Sequence, residues 1–365
     1  MRRRIALALL VVLVAAAGCR EHVDASYGRR SGFGQQSVNG TAVLADMFQR
    51  AGHAVTTRST LSPKLRQKTD CVVWFPDDFS APPADVRAWL ESWLRDPAHP
   101  GRTLIYVGRD FDAEAKYWGA IKPLLPADQR GEAEGLRVAA EAKFQAGRTR
   151  LPDREDARWF TAVAKAKPRK VQSLQGEDRW LEGVDPALAE IELTGRLVPP
   201  EDAEVLLASG EDALVSLQTI GQGQLIVVAN GSFLLNLPLV NHEHRKLAGH
   251  LIDEIGPPSQ NVVFLQSFAG GPPIREKDPP TAMPSGLQMF NTWPANWILM
   301  HLTLVGLLLC FARFPIFGRP VEPEPAGLSD FGKHIEAVGQ WLARSRDHQY
   351  AANRLAHYQQ IKEEG

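Results

Sequence analysis

Apolar positions along this chain fall into three patterns, and each predicts a different element. Short apolar runs at residues 71–75, 103–107 and 262–268 have strand length and no polar alternation, as expected of strands covered on both faces. A further strand is expected at 54–58. Helical spacing appears where Val43, Leu44, Met47 and Phe48 follow Asn39 and Thr41 and precede Gly52. It recurs at 83–95, with Val86, Leu90 and Leu94 beside Trp89 and Trp93, and again from Asn241 through Leu247, Leu251, Ile252 and Ile255. The third pattern is the stretch WILMHLTLVGLLLCF at 297–311, which holds no Asp, Glu, Lys or Arg.

Strand, helix and strand at 71–76, 83–95 and 103–107 predict parallel pairing through a right-handed crossover, hence an α/β fold with a parallel sheet. Strands at 204–208, 213–218 and 224–229 follow, and Gly221 with Gly223 makes the last two an antiparallel hairpin. Between them, residues 123–200 are charged with scattered apolar positions and read as an insertion. The Pro-rich stretch 271–292 reads as a linker.

The long apolar stretch predicts a membrane helix. Residues 293–313 bring 20 uncharged positions before Arg313, roughly 30 Å of helix and so about one hydrocarbon thickness. Trp293 and Trp297 mark one interface, and Arg313 and Arg319 mark the other as the cytoplasmic one. That orientation places the domain at 20–270 outside a bacterial inner membrane and the helical tail at 314–365 in the cytoplasm. The N-terminus agrees with it. Three arginines, an apolar run and Ala16-Ala17-Gly18-Cys19 make up residues 1–19 in the manner of a secretory signal. The end resembles a lipobox, with Ala16 where leucine is usual. A lipoprotein signal with Cys19 lipidated and an uncleaved anchor with Cys19 as a small apolar residue both fit.

Charge and cysteine content narrow the class. Lys+Arg 41 against Asp+Glu 42 leaves a net charge of -1, so no basic field points to nucleic acid. The three cysteines, Cys19, Cys71 and Cys310, are scattered and form no disulfide framework. SGFGQQS, at 31–37, lacks the third glycine and the preceding strand of a dinucleotide turn, and no cofactor is expected.

Parallel sheets bind ligands beyond the carboxyl ends of their strands. The loops after 71–75 and 103–107 carry Asp77, Asp78, Arg109 and Asp110, whose plainer reading is solvated loop polarity. Asn39 and Thr41 stand at a helix start whose free N–H groups suit an anion, with simple capping as the plainer reading. Asn230 and Ser232 follow the strand at 224–229. Ser232 is not on a nucleophile elbow, because Asn230 and Leu234 occupy its glycine positions. Cys71 opens a strand and reads as core rather than as a nucleophile. His242, His244 and His250 lack the spacing of ligands on one helical face, and no metal is expected. His301 and Thr303 are the polar positions of the long apolar stretch and suit a helix interface or interfacial water.

Taken in order, SVNGTAVLADMFQRAGHAV, DCVVWFP, IGQGQLIVVANGSFLLNLPLVNHEH, VVFLQSF, the apolar stretch and FGRPVEPEP before HIEAVGQWLARSRDHQYAANRL resemble the bacterial domain-of-unknown-function 4350 membrane proteins. The resemblance spans most of the chain except 123–200. It implies an extracytoplasmic domain similar to flavodoxin or to class I glutamine amidotransferases, without a catalytic triad. It also implies company: a MoxR-type ATPase system with other envelope membrane proteins, or an ABC transporter. No catalytic residue carries over. The expected function is a non-catalytic, membrane-anchored scaffold or sensing protein of an envelope complex. An envelope hydrolase or amidotransferase-like enzyme and an auxiliary subunit of an ABC-type exporter are the alternatives. In the tail, Phe331, Ile335, Val338 and Leu342 form a stripe beside Trp341, and a second segment carries Tyr350, Leu355 and Tyr358. A self-packed hairpin, a docking surface and a helix pair lying on the membrane all fit.

Overall fold

The computed structural model describes residues 23–30, 37–278, 295–313 and 331–363. The signal-like segment with Cys19, the linker from 279 onward, Trp293 and the connector at 314–330 lie outside the described residues. The chain divides into two units, Met1–Pro279 and Pro280–Gly365.

In the first unit, α1 (Ala42–Arg50) leads into β1 (Ala54–Arg58), α2 (Pro63–Lys68) into β2 (Cys71–Trp74) and α3 (Ala84–Leu94) into β3 (Thr103–Val107). Helices α4 (Glu114–Ile121) and α5 (Arg130–Arg148) come next and pack together. The short elements β4 (Arg154–Asp156), β5 (Thr161–Val163), β6 (Arg169–Lys170), β7 (Gln175–Gly176), α6 (Asp178–Leu181), β8 (Glu192–Leu193) and β9 (Arg196–Val198) fill the expected insertion. β10 (Glu204–Ser209), β11 (Asp212–Ile220), β12 (Gly223–Val228), α7 (His242–Asp253) and β13 (Asn261–Leu265) complete the unit.

The main sheet has the order β1-β13-β2-β3-β12-β11-β10-β7. Alternation of side chains along its central strands builds two cores. Cys71, Val73, Ile105 and Val107 pack on one face with Leu44 and Phe48 of α1 and Leu247 and Leu251 of α7. Val72, Trp74, Leu104 and Tyr106 pack on the other with Leu90, Trp93 and Leu94 of α3 and with Trp159 and Phe160 from the insertion. Fully buried leucines such as Leu44 and Leu90 contribute about 2 kcal/mol each through lost apolar surface.

The sheet is mixed, which corrects the expected flavodoxin-like or amidotransferase-like parallel sheet. β1, β13, β2, β3 and β12 pair in parallel, but β12, β11, β10 and β7 are antiparallel neighbours. The reason lies in two tight turns. Gly221 (φ 64) reverses the chain between β11 and β12, and Gly210 (φ 58) between β10 and β11, conformations that cost glycine little. The insertion adds β7 to the sheet edge and two small sheets, β4-β5-β9 and β6-β8.

The second unit holds α8 (Ala295–Arg313), α9 (Phe331–Ser345) and α10 (His348–Glu363). The expected transmembrane helix is not supported: among the described residues, no helix is long and apolar enough to cross a membrane. α8 has 19 residues, roughly 28 Å. The apolar run inside it is interrupted by His301 and Thr303, whose side chains bond back to the carbonyls of Trp297 and Leu299 at 2.7 and 2.8 Å. Trp293 and Pro294, which completed the expected span, lie outside the described residues. The inner-membrane localisation, with the main domain periplasmic, was built on that span and loses its support with it. On α9, Phe331, Ile335, Val338 and Trp341 are exposed, as are Tyr350, Leu355 and Tyr358 on α10.

Candidate ligand cleft at the strand ends

Beyond the carboxyl ends of β2 and β3, the sheet opens into two cavities that share a wall. The larger is a cleft of about 990 Å³ between the segment 23–27, the loops after β2 and β3, and α5. The smaller is a narrow chamber of about 50 Å³, room for a few water-sized groups. It lies under the insertion, lined by Tyr106, Gly108, Asp110, Phe160, Arg169 and Asp212 among others. Phe79 and Arg109 belong to the walls of both.

Arg109 is largely engaged by its surroundings, although its Nε is buried without a partner. Its guanidinium carbon stands 3.6 Å from the Tyr27 ring centroid and 4.6 Å from that of Phe79. Its Nη1 donates to the Phe111 carbonyl at 2.5 Å and its Nη2 to Asp112 at 3.0 Å. Phe79 faces Phe144 of α5 at 5.6 Å, and its ring needs the bare Gly147, where a Cβ would meet Phe79 Cε2 at 2.5 Å.

Asp77 lines the cleft and, among the described residues, has no hydrogen bond or ion pair of its own. Burial pushes its carboxyl above the usual range, against the pull of Arg109, Arg29 and Lys143. A carboxyl raised in the folded state contributes stability that is present below its unfolded value and lost as pH rises through its folded value. Asp77→Asn is therefore expected to melt above the wild type at pH 7, by about 1–2 °C once partial exposure is discounted. The gain should vanish in melts near pH 3, and a variant that melts lower at pH 7 would contradict it.

Asp110 sits at the chamber. Its Oδ1 pairs with Arg148 Nη2 at 3.0 Å, and its Oδ2 accepts from the backbone N–H groups of Thr194, at 3.0 Å, and Gly195. Burial pushes this carboxyl up, while Arg148 and the two N–H groups draw it back. Asp212, whose carboxyl burial pushes up but Arg169 and Arg196 together draw below its usual value, pins the other side of the chamber.

The remaining expected residues brace these walls. Asn39 is fully buried. It donates to Asp112 at 2.8 Å and the Ala25 carbonyl at 3.2 Å, and accepts from Ala113 N at 2.7 Å, tying segment 23–27 to the loop after β3. Thr41 is buried and makes no side-chain cap; the N–H of Val43 is instead taken by Asn236 at 2.9 Å. That bond uses an N–H of the helix start expected to suit an anion. Asp78 accepts from Ser80 N and Gly270 N at 3.1 and 3.0 Å, so it closes its own loop onto the chain after β13. Asn230 donates to the Glu192 carbonyl at 2.8 Å and accepts from Ser232 N at 2.9 Å. The Ser232 hydroxyl is buried without a partner.

Of the expected residues, then, Asp77 and Arg109 line the cleft and Arg109 and Asp110 the chamber, while Asn39 and Asn230 hold the loops in place. Asp24, Tyr27, Asp112, Tyr117, Lys143 and Phe144 also line the cleft and carried no separate signal. Only Phe79 was within reach of sequence reasoning, as the aromatic tip of the loop already singled out. His244 is buried with both ring nitrogens on the carbonyls of Pro238 and Ala189, and burial draws its pKa down.

Fold and cavities together define an α/β domain with a mixed sheet and a ligand-sized cleft at the carboxyl ends of its parallel half. The chain belongs to the family described as Domain of unknown function (DUF4350), whose model matches residues 35–252. No curated protein matches the chain. A solved structure described as a cytoplasmic protein from Salmonella typhimurium LT2 is 15% identical and covers 59% of this chain and 79% of its own, at a TM-score of 0.29. A likeness that low carries no argument about fold or place in the cell.

Proposed function

We propose that the first unit is a non-catalytic binding module, in which the strand-end cleft holds a small ligand and presents that occupancy to a larger complex. The observation that carries this reading is the wall shared by the two cavities, where Phe79 and Arg109 stand between an open cleft and an inner chamber. Supporting it, the titratable groups among the described lining residues are carboxylates, arginines, a lysine and tyrosines, with no histidine or cysteine among them. The thiol of Cys71 is buried in the sheet and raised by that burial, which leaves it inert. An assembly with a MoxR-type ATPase system or an ABC transporter is the partner half of the proposal.

Ala139 is exposed on α5 and lines the cleft, so Ala139→Trp fills the space without entering a core. The test is a thermal-shift screen of small metabolites against full-length wild type and this variant. A ligand at roughly 100-fold excess over Kd is expected to raise the wild-type Tm by about 5–10 °C and the variant by none. Ligands that stabilise both equally would remove the cleft from the function.

A further inference from the structure

We infer that the inner chamber takes a small uncharged molecule of about three to five heavy atoms, whose oxygen accepts from the Tyr106 hydroxyl and whose carbon skeleton lies against Phe160, Leu193 and Leu197. This goes beyond the cleft reading above and does not rest on it.

Tyr106 belongs to β3, lines the chamber and is 3% exposed. Its ring is fixed by three aromatic neighbours, edge-on to Trp74 and Trp159 at 5.4 and 5.8 Å and stacked on Phe160 at 5.3 Å. The hydroxyl is therefore held in place, and among the described residues it has no hydrogen-bond partner. Unlike the hydroxyls of Tyr27 and Ser232, which are sealed from solvent, it keeps accessible surface. Burial pushes its pKa up, so the phenol stays neutral and keeps an O–H to give. Native proteins seldom leave such a group unmet, and one that still faces open space can be served by an incoming acceptor.

The charges around the chamber are already matched to one another. Arg109 gives its terminal N–H groups to Phe111 and Asp112. Asp110 is paired with Arg148 and with two backbone N–H groups. Arg169 spans both oxygens of Asp212, and Arg196 meets one of them at 2.7 Å. An anion entering here would face two carboxylates, and a cation three guanidinium groups, so either would lose its hydration without finding a free counter-charge.

Between the ion pairs the wall is apolar, with Leu151, Phe160, Ala162, Leu193 and Leu197. Water suits it poorly, because an ordered water needs about two to four polar partners. An apolar body carrying a single oxygen suits it better, since displacing loosely held water by apolar surface favours binding. The volume of about 50 Å³ admits three or four water-sized groups at roughly 10–15 Å³ each. A short ketone or alcohol has that size.

The test is a saturation-transfer NMR titration of the full chain with 2-butanone, sodium propanoate and propylammonium chloride, which are similar in size and differ in charge. Butanone is expected to bind roughly tenfold more tightly than either ion, or better. Tyr106→Phe removes only the hydroxyl, and is expected to weaken butanone roughly threefold or more while melting within about 2 °C of the wild type. Ala162→Leu fills the chamber and should abolish binding. Ala139→Trp fills the cleft and should leave it unchanged; loss there would move butanone to the cleft and overturn the chamber site. Either ion binding as tightly as butanone, or indifference to Tyr106→Phe, would overturn the assignment. No saturable butanone binding up to about 100 mM would leave the chamber to ordered water only, and the inference would fall.

Discussion

Asp110→Ala is expected to lower the unfolding free energy by about 3–5 kcal/mol, the cost of leaving one partner of a buried ion pair alone. The side chain of Arg148 is 8% exposed, and its Nη2 is shared between Asp110 and the Ala164 carbonyl, at 3.0 and 2.6 Å. Without the carboxylate, that guanidinium keeps one carbonyl and the N–H groups of Thr194 and Gly195 keep nothing. These groups come from α5, from the loop after β3 and from the turn before β9, so one side chain ties three segments around the chamber. Asp110→Asn keeps an oxygen for the backbone donors and is expected to lose less. Urea denaturation measures both: a midpoint shift at constant slope reports stability alone. A loss below 1 kcal/mol for the alanine variant would mean that the chamber is not held by this pair.

Gly108→Ala is the second large effect, at about 2–3 kcal/mol of destabilisation by overpacking against backbone. A Cβ at Gly108 would overlap the Ala229 carbonyl oxygen and approach Leu197 Cδ1 at 2.9 Å, while the Gly108 N–H is already bonded to the Val228 carbonyl at 2.9 Å. Neither strand can retreat, because β3 and β12 are locked in register from Thr103 with Gln224 to Val107 with Val228. Gly135→Ala in α5 meets nothing within 4 Å and should gain up to about 1 kcal/mol from helix propensity alone. Thermal melts of the two variants should therefore move in opposite directions. Equal shifts would show that the clearance at Gly108 is not what limits it.

The parallel half of the sheet was legible because its strands are covered on both faces and so read as unbroken apolar runs at 71–75 and 103–107. The loops after those runs could then be named before any coordinates, and Asp77, Arg109 and Asp110 do stand at the two cavities. The antiparallel half was only half legible: Gly221 announced one turn, whereas Gly210 was not taken as the second. Helix α5 was missed because its buried positions are Ala133 and Ala140, small residues that leave no hydrophobic period for a pattern to detect. The cap of α1 was assigned to its sequence neighbours, while the side chain that serves it, Asn236, lies 193 positions away. The membrane expectation failed for a different reason. It was read from length, lack of charge and the flanking tryptophans and arginines, whereas among the described residues no helix is long and apolar enough to cross a membrane.

Helix α5 also decides how the cleft can be entered. The C-terminal end of this 19-residue wall is held by the Arg148–Asp110 pair and the Phe79–Phe144 contact, whereas its earlier turns fully bury only Ala133 and Ala140 and forfeit little apolar contact when they fray. The amides of those earlier turns should consequently exchange with deuterium before those of β2 and β3, so the rim of the cleft yields while the end of the helix beside the chamber and the core stay folded.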